Sequence, residues 1–169
     1  MDIWKYYDGD LKYPNLIKQK HEAEIAKTIP KWAYEYIKNR KIKSPEIIKI
    51  LEQGIAKDSK LSYEYAKNIL GGRFELGEPA IAKNPKDSYF YAKYILSGPF
   101  LHGEPTIATS AQYSYLYANH VLHDAFILGE PNIAKNEHYA ELYTQYVLKK
   151  DFYLDDKLIC KYDEEFDID

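Results

Sequence analysis

Apolar side chains return at fixed offsets along this chain. The isoleucine of each Ile-Ala pair falls at Ile25, Ile55, Ile81, Ile107 and Ile133, with Ile159-Cys160 as a sixth, so the spacing is 30 residues once and 26 thereafter. Counted from that isoleucine, offset 10 is Tyr65, Tyr91, Tyr117 and Tyr143, and offset 11 is Ala66, Ala92, Ala118 and Thr144. Offset 15 is Leu70, Leu96, Leu122 and Leu148, and offset 19 is Phe74, Phe100, Phe126 and Phe152. Offsets 7, 8, 11, 14 and 15 follow i, i+1, i+4, i+7 and i+8, which is helical periodicity and not strand alternation. Each unit therefore predicts a helix of about three turns.

The stretch Gly-Glu-Pro-x-Ile-Ala recurs at Gly77, Gly103 and Gly129. It predicts the start of a second, short helix. Proline suits the first helical position, where its missing N–H is not needed. The glutamate before it is expected to be extended, as a cap is, with its carboxylate at the positive end of the helix dipole. Asp155-Asp156-Lys157 stands at the same offset in the last unit and is expected to play the same part.

Two helices in 26 residues cannot bury their apolar faces alone, but a stack of such pairs can. The expected fold is all-α: a short α-solenoid of about five two-helix repeats with N- and C-terminal caps. Residues 1–54 form the N-terminal cap and a divergent first repeat, 55–158 four regular repeats, and 159–169 a truncated sixth repeat and an acidic tail. Leu11 to Glu24 is the expected N-terminal cap, Ser44-Pro45-Glu46 another helix start, and Cys160 a small packing residue in the alanine column.

The units resemble tandem repeats of the form Y-A-x-x-[I/V]-L-x-G-x-F-x-x-G-E-P-x-I-A in uncharacterised proteins of phages, prophages and giant viruses. Tyr63 to Lys83 carries the resemblance most fully, and it covers about residues 55–158. It implies an α-helical repeat protein of phage origin and carries no catalytic residues to transfer.

Composition narrows the function. Hydrophobic residues make up 46% and charged residues 29% of the 169, as in a folded globular chain. No apolar run reaches the ~20 residues of a membrane span, and the first ten residues lack the plan of a signal peptide. One cysteine fits a reducing compartment, hence a cytoplasmic setting, that of the host cell if the chain is phage-encoded. Residues 1–57 carry 12 basic against 8 acidic side chains, and residues 58–169 carry 11 against 18. The basic first third, with Trp32 and its tyrosines as stacking platforms, leaves nucleic-acid binding as one alternative, although a chain of net charge -3 is a poor general binder.

No phosphate loop, activated nucleophile or zinc motif is present, so the chain reads as no enzyme, with no cofactor and no metal. His120, His123 and Asp124 lie close in sequence, but a metal would need a further ligand from a distance.

Two surfaces are candidates. Glu78, Glu104, Glu130 and Asp156 recur once per repeat. They form either a carboxylate ladder that imitates a nucleic-acid backbone, with the acidic tail, or four local helix-start charges. At offsets 9 and 13 stand Phe90, Leu116, Leu142 and Tyr94, His120, Tyr146, where the second unit has Glu64 and Asn68 and the equivalent residues of the first are Glu35 and Asn39. One side of the helix row thus turns from polar to aromatic along the chain. Exposed, it is a docking stripe for a protein partner. Covered by the short helices, it is core. Docking of a host protein on the stripe is the leading expectation, with inhibition of a defence or replication system as its purpose.

Overall fold

In a computed structural model that describes residues 16–40 and 42–165, the chain is all-α apart from one short hairpin. The N-terminal region contributes α1 (Leu16–Ala26), α2 (Pro30–Arg40) and α3 (Pro45–Ile55). The regular units continue as α4 (Ser59–Tyr65), α5 (Glu78–Ile81), α6 (Pro85–Tyr91), α7 (Glu104–Ile107), α8 (Ala111–Tyr117), α9 (Glu130–Ile133) and α10 (Glu137–Tyr143). Among the described residues no helix is long and apolar enough to cross a membrane. The expected N-terminal cap lies partly, and the end of the acidic tail wholly, outside the described residues.

Each longer helix of the regular units begins on an Asx or serine cap. Asp58, Asn84, Ser110 and Asn136 are extended, and each side chain accepts the N–H three residues on, from Leu61, Asp87, Tyr113 and Tyr139. A satisfied first-turn donor of this kind contributes about 1 kcal/mol. Each helix then widens into a π turn: Ala66–Leu70, Ala92–Leu96, Ala118–Leu122 and Thr144–Leu148. A left-handed residue closes each π turn, at Gly71, Ser97, His123 and Lys149. Its N–H bonds to the carbonyl at offset 11, and in the first three units so does the next N–H, from Gly72, Gly98 and Asp124. The terminal carbonyl is satisfied and the chain reverses.

The helices α4, α6, α8 and α10 lie side by side, and each short helix bridges the longer helices before and after it. The core runs through this row. Ile55, Ile81, Ile107 and Ile133 are fully buried, as are Tyr91, Tyr117, Tyr143 and the offset-11 residues Ala66, Ala92, Ala118 and Thr144. Offset 7 is also buried, by Ser62, Ser88 and Ser114, whose hydroxyls donate to Ile55, Ile81 and Ile107 carbonyls at 3.0, 2.9 and 3.1 Å. The deepest seam is thus offsets 0, 7, 10, 11 and 19, while the leucines at offset 15 sit nearer the surface. The π turn accounts for this, because its extra residue rotates the end of the helix away from the seam.

Three local expectations are corrected. The glutamates of Gly-Glu-Pro are helical, not extended: Glu78 has φ -55 and ψ -39, and the cap position falls on Gly77. Proline therefore sits second in the helix, where its missing N–H is again no loss. In the first unit Ile25 points outward and Ala26 takes the buried place, so its register runs one residue later. The sixth unit does not restart as a helix. Phe152–Leu154 (β1) and Lys157–Cys160 (β2) pair antiparallel. Asp155 and Asp156 make their turn, both with positive φ (49 and 62), as a two-residue hairpin loop demands. Without the glycine and proline of the other units, nothing fixes a helix start there. Cys160 therefore lies half-buried on a strand.

The glycines of Gly-Glu-Pro have a packing reason. A Cβ on Gly103 would lie 2.4 Å from Phe100 Cδ1 and 2.9 Å from Ser88 Cβ, and Gly77 and Gly129 are equally crowded. Gly103→Ala is expected to destabilise the chain by about 1–3 kcal/mol through overpacking. Ser97→Gly should stabilise it by about 0.5–1 kcal/mol, because Ser97 bears the left-handed backbone strain that Gly71 avoids. Urea unfolding of both variants measures the two signs.

Candidate functional site

The acidic column and the tyrosine column meet. The hydroxyls of Tyr65, Tyr91, Tyr117 and Tyr143 donate to Glu52, Glu78, Glu104 and Glu130 at 2.8, 3.1, 2.8 and 2.9 Å. Tyr36 and Glu22 repeat the pairing at 2.7 Å in the divergent first unit. The last three of these hydroxyls also accept the backbone N–H of the preceding unit's phenylalanine. Phe74 reaches Tyr91 at 2.8 Å, Phe100 reaches Tyr117 at 2.9 Å, and Phe126 reaches Tyr143 at 2.9 Å. Each tyrosine ring also meets its own unit's phenylalanine edge-on, with centroids 4.9–5.4 Å apart. One side chain thus joins two successive units.

This changes the reading of the acidic ladder. Glu78 is only 5% exposed, and Arg73 grips both its oxygens through Nε at 2.7 Å and Nη2 at 3.1 Å. That bidentate pairing permits the burial of a charge that would otherwise need water. Glu104 and Glu130, with no arginine at the matching place, stay half-buried against their tyrosines. Asp156 sits apart in the hairpin turn. The four do not form an exposed row, because three of them have their carboxylates engaged by the chain itself. Burial, joined by the facing carboxylate, holds all four spine tyrosines above their ordinary range, with Tyr91 pushed up to about 12.

The stripe lies on the helix row where the short helices do not cover it. Tyr94 is 52% and Tyr146 44% exposed, and His120 is exposed between them. Phe90, Leu116 and Leu142 are half-buried and pack on the core beneath. Ring contacts run along the stripe. Tyr63 stacks on Phe90 at 6.2 Å, and Phe90 on Tyr94 at 5.8 Å. Outside the stripe, at offset 8, buried Tyr89 meets Tyr113 at 6.0 Å and buried Tyr115 meets Tyr139 at 6.2 Å.

Lysines sit over these rings. The Lys67 ammonium lies 5.8 Å from the Tyr63 ring and 5.2 Å from Tyr94, and Lys93 lies 5.5 Å from Tyr94. Lys93 also donates to the Tyr89 hydroxyl at 3.3 Å, and that hydroxyl pairs with His120 Nδ1 at 2.8 Å. Partial burial, then the Lys93 and His123 charges, hold the His120 pKa below its ordinary value. The neutral ring is thus favoured.

His123 closes a π turn with φ 53, while His120 is tied to Tyr89. Among the described residues no group of three or more His, Cys, Asp or Glu is placed to hold a metal. Trp32 is half-buried on α2 and packs against the core. Comparison with protein-family models, curated proteins and solved structures gives no match.

Two features escaped the periodicity. Glu52, Ser62 and the offset-10 hydroxyls bond across the fold, and a helical period cannot show that. A second apolar edge runs along the turns, where Leu101 is 72%, Ile127 68% and Leu128 53% exposed. Offsets 20 and 21 lie outside the longer helices, so a search of helix faces passes over them. Their one sequence signal is apolar residues in a turn.

Tyr117→Phe tests the spine. It leaves the Phe100 N–H and the Glu104 carboxylate without their shared partner, and a cost of about 1–3 kcal/mol is expected in chemical unfolding. The raised tyrosine pKa values also fix a sign. The folded state keeps its protons to higher pH than the unfolded chain, so this contribution is full below about pH 10. It is lost as pH rises from there through about 12, the Tyr91 value. Alkaline unfolding followed by circular dichroism should fall in that window, and Tyr91→Phe should make the decline shallower.

Proposed function

We propose that this chain is a short α-solenoid acting as a non-enzymatic protein-binding module, with its partner docked on the stripe of Phe90, Tyr94, Leu116, His120, Leu142 and Tyr146. One observation carries the reading. Three successive repeats present an exposed ring at the same offset, Tyr94, His120 and Tyr146, above half-buried Phe90, Leu116 and Leu142. The buried inter-repeat bonds run through the other tyrosine column, at offset 10.

Aromatic side chains on a rigid helical row make strong anchors. They bring a large contact area with little conformational freedom left to lose. The half-buried residues beneath hold the anchors in place, and Lys67 and Lys93 supply a charged rim. On the resemblance of the repeats to phage and viral proteins, the partner is a host protein in the host cytoplasm, and the role is that of an inhibitor or adaptor acting on defence or replication.

The test is an affinity capture from nuclease-treated host lysate, washed at low and high salt. The expected result is one protein retained at high salt by the native chain and lost in Tyr94→Asp with Tyr146→Asp. Both positions are exposed, so the variant should keep its helical circular dichroism. Equal retention by the variant would contradict the stripe. Retention of a nucleic-acid enzyme at low salt only would contradict apolar docking, since charge-driven binding weakens steeply with ionic strength.

A further inference from the structure

The stripe begins in a cleft between α4 and α6. Tyr63, Phe90 and Tyr94 line it with rings, Lys60, Lys67 and Lys86 with ammonium groups, and it encloses about 590 Å³. All three lysines are exposed. The acids on its wall are largely committed. Glu64 lies 3.8 Å from Lys60, and buried Asp87 accepts the Ser59 hydroxyl at 2.7 Å. In a chain of net charge -3 this is a local basic, aromatic pocket.

The same chain carries the complementary sequence. Residues 163–169 read Asp-Glu-Glu-Phe-Asp-Ile-Asp, five carboxylates around one aromatic and one aliphatic side chain. Where this segment leaves the fold, the Asp163 N–H is held by Gln145 Oε1 at 3.3 Å, and the neighbouring hollow is walled by Glu137 and Glu141 and by Lys135 and Lys161.

We propose that the basic aromatic cleft of one copy receives residues 163–169 of a second copy. The proposal rests on the reading of the stripe as a docking surface, and it names a self-made occupant for the stripe's first segment. The Phe166 ring stacks among Tyr63, Phe90 and Tyr94, and the flanking carboxylates face Lys60, Lys67 and Lys86. Reach makes the contact intermolecular. Phe166 lies three residues beyond Asp163, about 10 Å of extended chain. The cleft lies more than two helix positions back from α10, at about 8–10 Å each. Each copy thereby shields the other's cleft until an outside partner displaces the tail.

The probe is a fluorescent peptide of residues 162–169, titrated with the full chain and read by anisotropy, alongside sedimentation of the full chain over a range of concentrations. The expected result is saturable binding that weakens at least tenfold in Lys67→Glu with Lys86→Glu, and weakens again at high salt. The native chain should also form species larger than one copy, and the double variant should not. Both lysines are exposed, so unchanged circular dichroism is the control for folding. A peptide that does not bind, binds the double variant equally, or leaves a chain that stays single at all concentrations overturns the proposal. Loss of capture in Tyr146→Asp alone, outside the cleft, still tests the wider stripe separately.

Discussion

The hydroxyl of one tyrosine per repeat sets much of the rest. It donates to a carboxylate 13 residues earlier in the chain and accepts a backbone N–H 17 residues earlier, from the turn of the preceding unit. Both bonds are buried or half-buried, where an unmade bond costs more than a made one returns. The turn phenylalanine must therefore sit where its N–H meets that hydroxyl. Its ring then packs so closely that only glycine fits at offset 22, with a serine at offset 7 beneath. Tyrosine, phenylalanine, glycine, glutamate and serine recur together because they form one contact set.

That set also divides the molecule's charges and rings into two groups. The repeated glutamates look like a surface ladder in sequence, but their oxygens are directed to tyrosine hydroxyls and, at Glu78, to Arg73. The offset-13 rings take no part in the set and stay exposed. Two columns of aromatic residues on the same helices thus differ in place: offset 10 is buried and joins the repeats, while offset 13 is exposed. The bonds from Lys93 through Tyr89 to His120 steady the exposed row from below.

Much of the helical content was legible in the sequence. The three-turn helices and the short Pro-started helices come from apolar periodicity and from proline's position, both local signals. The outward face of offset 13 was visible as a change of chemistry from Asn68 to Tyr94, His120 and Tyr146, but its exposure was not, because that depends on where the short helices lie. Glu78, Glu104 and Glu130 stand in the first turn of their helices, as the local reading has it, but the tyrosine that engages each carboxylate lies 13 residues on, outside any local pattern. Ile25 and Ala26 exchanged places because a 30-residue spacing leaves the register of the first unit open by one residue. The hairpin at Asp155-Asp156 was missed because two adjacent acids suit a helix start as well as a left-handed turn.

Amide hydrogen exchange of the native chain by NMR tests the central claim most directly. Phe74, Phe100 and Phe126 lie in turns, outside any helix, where amides ordinarily exchange fast. If tyrosine hydroxyls bind these N–H groups and join the repeats, the three amides exchange as slowly as those in the cores of α6 and α8. Exchange at the rate of the neighbouring turn residues would contradict the account.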